Sequence, residues 1–179
     1  MKIDKHLSIK DLALIICKFL KDHNIDVVLT GGAVVSIYTD NKYQSYDLDF
    51  ITYTSLDELN KVLKILGFVK EGRIFYHPKI KFFLDFPAPP ISVGDTPVTE
   101  FKEIFSEQGY LKLLSPTHCV MDRLAAFYYW ADMQSLEQAV MVAKNNNVNI
   151  NKIKEWSIKE NMLKKFNWFI EKLKLNTYL

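Results

Sequence analysis

The stretch Tyr46-Asp47-Leu48-Asp49-Phe50-Ile51-Thr52 alternates acidic and hydrophobic residues, and that period of two is the signature of a β-strand with two unlike faces. Successive side chains on a strand point to opposite sides, so Asp47 and Asp49 share one face while Leu48 and Phe50 take the other. The chain must therefore build a sheet that buries one side and presents two neighbouring carboxylates on the other.

The segments around this strand supply the rest of such a sheet. Ser8 and Asp11 mark a helix start, and Ile9, Leu12, Ile15, Ile16, Phe19 and Leu20 continue at helical spacing to about His23. Asp26 to Leu29 reads as a short buried strand, Thr30-Gly31-Gly32 as a turn, and Ala33 to Thr39 as a helix that opens at once. Ser55 caps a helix through Leu66, which Gly67 ends. Arg73 to His77 and Ile80 to Phe86 are further strands, followed by a Pro-rich loop to Pro97. Val98 to Phe105 and Tyr110 to Leu114 form a hairpin around Glu107-Gln108-Gly109, and everything from Ser115 onward is helical in pattern. Ser115-Pro116 suits a helix start and marks the boundary between an α/β front, residues 1–114, and a helical rear, residues 115–179.

Composition removes several classes. With 49% hydrophobic and 25% charged residues, the chain lies in the range of soluble globular proteins. The apolar run Leu12 to Leu20 is broken by Lys18 and is too short to span a bilayer, so a cytoplasmic protein without a membrane partner is expected. Cys17 and Cys119 are far apart, each within a helical pattern, which suits core thiols better than a disulfide or a metal site. The net charge of +2 is small, but residues 151–179 hold seven Lys against three Glu and make the tail the basic part.

Two acids on one strand face either water or a cation. Like charges this close raise each other's pKa, and hard oxygen donors suit Mg²⁺ or Mn²⁺. Asp85 adds weight to the cation, because it interrupts the apolar run Phe82-Phe83-Leu84-Asp85-Phe86 and a buried acid requires a partner. Three carboxylates on adjacent strands would hold two divalent ions about 3.5–4 Å apart. Gly31 and Gly32 open the backbone to a phosphate at the start of a helix, whose unpaired N–H groups and dipole favour anions. The pattern is neither a P-loop nor a dinucleotide-binding fingerprint.

Thr30-Gly31-Gly32-Ala33-Val34-Val35, then Ser45-Tyr46-Asp47-Leu48-Asp49-Phe50, then Leu84-Asp85-Phe86 resembles the nucleotidyltransferase superfamily typified by DNA polymerase beta. Ser115 to Ala126 and Ser135 to Ala139 resemble the bacterial minimal members, including those of abortive-infection toxin systems. The resemblance implies a mixed β-sheet flanked by helices with a C-terminal helical segment, an α/β (α+β) fold. It further implies Asp47, Asp49 and Asp85 as catalytic metal ligands, with Gly31, Gly32 and Ser45 at the nucleotide. The expected reaction moves a nucleoside monophosphate from an NTP to an acceptor hydroxyl on RNA such as tRNA, a protein or a small molecule, releasing pyrophosphate. An alternative is a non-catalytic partner in a toxin–antitoxin pair. Relatives often carry an Arg where Tyr43 stands here, so Lys42 is the nearby candidate for phosphate neutralisation.

Arg123 is a second candidate for the nucleotide, with an ion pair to Asp132 or Asp122 as its other reading. Tyr128-Tyr129-Trp130 suits either core packing or stacking on a base. Trp156, Phe166, Trp168 and Phe169, set among the tail lysines, suit an amphipathic helix packed inward or an RNA surface.

Overall fold

The computed structural model describes residues 3–175, which form seven helices and nine strands. Helix α1 (Ile9–Asp22) begins with a complete capping box, in which Ser8 receives the Asp11 N–H and Asp11 reaches back to Ser8. Strand β1 (Val28–Thr30) runs directly into α2 (Gly31–Tyr38), two residues earlier than the sequence suggests. Strand β2 (Asp47–Ile51) is followed by α3 (Leu56–Ile65), capped by Ser55.

A seven-stranded sheet is completed by β3 (Val69–Glu71), β4 (Ile74–Tyr76), β5 (Phe83–Asp85), β8 (Phe101–Ser106) and β9 (Gly109–Leu114), in the order β3-β4-β5-β2-β1-β9-β8. Pairing is mixed: β2–β5 and β1–β9 are parallel, and the other neighbours are antiparallel. Strand β5 is shorter than the expected Ile80 to Phe86 because the Ile80 N–H turns back to the His77 carbonyl, 3.2 Å. The Pro-rich segment contains a small hairpin of its own, β6 (Ser92–Val93) with β7 (Thr96–Pro97). The buried Trp156 indole N–H anchors that hairpin on the Val93 carbonyl at 3.2 Å.

The rear consists of α4 (Pro116–Trp130), α5 (Met133–Asn145), α6 (Ile150–Lys159) and α7 (Leu163–Leu175). Ser115, Asp132 and Asn149 cap α4, α5 and α6 through their side chains. The hydrophobic core is continuous from Leu29, Leu48, Phe50 and Leu84 in the sheet to Leu124, Leu136, Trp156 and Phe169 in the helices. Cys17 and Cys119 are both buried free thiols. Burial pushes Cys17 up to about 11 and raises Cys119 as well. Among the described residues no helix is long and apolar enough to cross a membrane.

Candidate active site

The sheet register brings the three acids to one place. Thr30 pairs with Asp49 between β1 and β2, Asp49 with Asp85 between β2 and β5, and Asp85 with Ile74 between β5 and β4. Directly opposed residues on neighbouring strands point to the same face, so Asp85 joins Asp47 and Asp49. The alternating residues Leu48, Phe50 and Leu84 are fully buried on the other side.

At one end of this row lies the glycine turn. Gly31 has φ +69°, and a Cβ there would stand 2.1 Å from Asp49 Oδ2. Only glycine satisfies both the left-handed backbone and the close approach of the carboxylate. A Cβ on Gly32 would stand 2.9 Å from Ser45 Oγ and 3.4 Å from the Tyr43 ring. Thr30, at the N-cap of α2, gives no side-chain cap; its hydroxyl instead donates to the Asp49 carbonyl at 3.2 Å. The first N–H groups of α2 are thereby left for an anion. Ser45 donates its hydroxyl to the Asp47 carboxylate, while its own N–H is held by Ser36 Oγ at 2.9 Å.

Asp49 is pushed up to about 7, first by burial and then by the Asp47 and Asp85 carboxylates, with Arg123 opposing. Asp85, only 8% exposed, is fixed from two sides. Arg73 Nη2 donates to its Oδ2 at 2.8 Å, and the Phe86 N–H donates to Oδ1 at 2.8 Å. Arg123 on α4 gives Nε to Asp122 Oδ2 at 2.9 Å and Nη1 to Gln138 Oε1 at 3.4 Å. Its ion-pair partner is thus Asp122, and Asp132 instead caps α5.

Lys42 is placed elsewhere: its ammonium donates to Asn145 Oδ1 at the end of α5, 3.0 Å. The Tyr43 ring, not a cation, lies beside Gly32. Tyr128 is core, stacked on Trp156 with centroids 5.4 Å apart, whereas Tyr129 and Trp130 are surface residues. In the tail Trp156, Phe166 and Phe169 are buried and Trp168 is 44% exposed. His118 accepts or donates to Ser115 Oγ at 2.8 Å as part of the α4 cap.

The donor chemistry fits a hard divalent cation, since Asp49 is buried beside the Asp47 and Asp85 carboxylates and their repulsion, only partly offset by Arg123, is what a cation would relieve. Asp47 and Asp49 form the pair that would hold it. Asp85 does not complete a cage with them: among the described residues no three acidic, His or Cys side chains are grouped to hold one ion. Its carboxylate is engaged by Arg73 instead.

Two cavities are lined by the arginines associated with the acids, though not by Asp47, Asp49 or Asp85 themselves. One of about 270 Å³ lies between the β6–β7 hairpin and α4, lined by Asp122, Arg123, Ala126 and Trp130. The other, of about 310 Å³, is lined by Thr52, Thr54, Arg73 and the Phe86–Pro89 segment. A larger cleft of about 410 Å³ lies between α1 and the β8–β9 turn, lined by neither arginine. Asp122 is one of the two partners expected for Arg123, whereas the pairing of Arg73 with Asp85 is not anticipated by the sequence; its available signal was that a buried Asp85 demands a cation from a neighbouring strand end.

No protein-family model matches the sequence, and no curated protein is detectably similar to it. Solved structures do match. An antigenic nucleotidyltransferase-like protein from Paracoccidioides brasiliensis superimposes with TM-score 0.58 at 15% identity, over 76% of this chain and 77% of that one. The solution structure of the antibiotic-resistance factor ANT(2'')-Ia matches with TM-score 0.50 at 13% identity, over 93% of this chain and 94% of that one. The crystal structure of ANT(2'')-Ia in complex with adenylyl-2''-tobramycin gives 0.50 at 12% identity, covering 92% and 97%. The chain has the nucleotidyltransferase fold.

Proposed function

We propose that the protein transfers a nucleoside monophosphate from an NTP to an acceptor hydroxyl, with pyrophosphate leaving. The observation that carries this reading is the register that puts Asp47, Asp49 and Asp85 on one sheet face beside the glycine turn. The fold neighbours, one nucleotidyltransferase-like and one solved with adenylyl-2''-tobramycin, point the same way.

Asp47 and Asp49 would hold Mg²⁺ or Mn²⁺, which neutralises the triphosphate and the departing charge. The N–H groups at the start of α2 receive the phosphates of the leaving end, where Gly31 and Gly32 keep side chains out of the way. Arg123, anchored by Asp122 and electrostatically coupled to Asp49, adds positive charge on the α4 side. Asp85 receives the proton of the acceptor hydroxyl as its oxygen bonds to the α-phosphorus and the bond to the bridging oxygen breaks. Held by Arg73 and the Phe86 N–H, it keeps one orientation for that task.

The test is incubation with each α-labelled NTP, Mg²⁺ and either total RNA or protein extract. The wild type labels an acceptor, and Asp47→Asn or Asp49→Asn lowers the rate by about 10³-fold or more. Equal labelling by wild type and both variants would sink the assignment.

A further inference from the structure

We infer that the acceptor is an anionic alcohol, one that carries a phosphate near its reacting hydroxyl, and that Arg73 binds that phosphate. This rests on the transfer reaction proposed above and adds to it the chemistry of the second substrate.

The order of groups across the sheet carries the inference. Thr30, Asp49, Asp85 and Ile74 form one row over four strands, about 14 Å long at the usual strand spacing. Gly31 follows the first residue of the row and Arg73 precedes the last. Phosphates therefore sit at one end, and the attacking and leaving oxygens of a phosphoryl transfer are roughly in line. With the leaving pyrophosphate at the Gly31 end, the acceptor enters from the Asp85 end.

What waits there is a cavity and a cation. Arg73 stands on the tight turn between β3 and β4, since Glu71 pairs with Ile74. Its side chain is 63% exposed, and one of its donors goes to Asp85. The remaining guanidinium donors have no protein partner among the described residues. Arg73 lines the 310 Å³ cavity together with Thr52, Thr54 and the Phe86–Pro89 segment that follows Asp85. A planar fork with unused donors recognises phosphate, and a polycationic acceptor would be repelled by it. One molecule satisfies both groups if its hydroxyl meets Asp85 while its phosphate meets Arg73. A nucleic-acid 3′ end and a free mononucleotide both have that chemistry.

The experiment measures binding, so it does not depend on turnover. A 5′-fluorescein octaribonucleotide is titrated with wild type, Arg73→Gln, Arg73→Lys and Asp47→Asn by anisotropy, with AMP and a cationic amino sugar as competitors. ATP binding in Mg²⁺ is followed in parallel by calorimetry. Arg73→Gln keeps a donor for Asp85 but loses the charge, and is expected to weaken the oligonucleotide roughly tenfold or more. Arg73→Lys, which keeps the charge but not the fork, recovers only part of the affinity, and ATP binding is lost in Asp47→Asn but kept in both Arg73 variants. Competition by AMP at concentrations near its own substrate range would assign a small acceptor; competition only by longer strands would assign a nucleic acid. Unchanged oligonucleotide affinity in Arg73→Gln, stronger competition by the amino sugar, or no binding of either phosphate-bearing probe by a wild type that binds ATP overturns the inference. Failure of the wild type to bind ATP strikes the transfer reaction itself, a result read separately.

Discussion

The two arginines that flank the carboxylates are held in opposite ways. Arg123 emerges from the middle of a 15-residue helix, is 19% exposed, and is tied to Asp122 and Gln138. Arg73 hangs from a two-residue turn at the end of three-residue strands, is 63% exposed, and has one protein partner among the described residues. On the proposed reading the nucleotide side of the row is thus prebuilt, with its side chains held by protein partners. The proposed acceptor side is a single cation with spare donors, free to adapt. Fixed geometry suits the substrate half common to a whole fold, and adaptable geometry suits the half that varies.

The comparison breaks most easily at Arg123. Removing a guanidinium from a part-buried pair leaves Asp122 without its cation, so Arg123→Ala is expected to lower stability by about 2–3 kcal/mol in urea unfolding. A loss below ~1 kcal/mol would show that the two sides are equally loose. Gly31→Ala comes next. It forces a left-handed φ on an alanine and drives its Cβ into Asp49, at an expected cost of about 1–3 kcal/mol together with weakened ATP binding.

Asp49 sharpens the comparison through pH. Its folded pKa, up to about 7, exceeds the unfolded value, so the native state binds more protons and stability falls as pH rises between the two values. In metal-free buffer, denaturant midpoints should decline from pH 5 to pH 8, and Asp49→Asn should flatten that decline and be the more stable protein at pH 8, by about 1–2 kcal/mol. The smallest effect belongs to Arg73. Water can reach Asp85 once that exposed side chain is shortened, so Arg73→Ala should cost about 1 kcal/mol or less, measured in the same unfolding assay.

Much of the site is legible in the sequence because it lies on regular backbone. Asp47 and Asp49 announce themselves by alternation, and Asp85 by interrupting an apolar strand. Gly31 and Gly32 stand between a strand and a helix, where their close approach to Asp49 and Ser45 is a tertiary fact added by the fold. What stays hidden depends on register or on short elements. Strand β3 is Val-Lys-Glu, too short and polar to show a period, and its edge position leaves Val69 63% exposed. Arg73 reaches Asp85 only because the β3–β4 turn aligns Ile74 with it. Lys42 looks suited to a phosphate by sequence proximity, but it sits on the turn after α2, and Asn145 is what lies there. The Pro-rich segment hides a hairpin whose partner, Trp156, is some sixty residues away in sequence.

The two cysteines, described above as buried and raised in pKa, make the native chain close to inert toward thiol reagents at neutral pH. A cysteine introduced at Thr54 or Ala88, on the cavity beside Arg73, would therefore be the preferred site for a maleimide or spin label without first removing Cys17 and Cys119. The protein arrives ready for spectroscopy of its acceptor side, with a silent thiol background supplied by its own core.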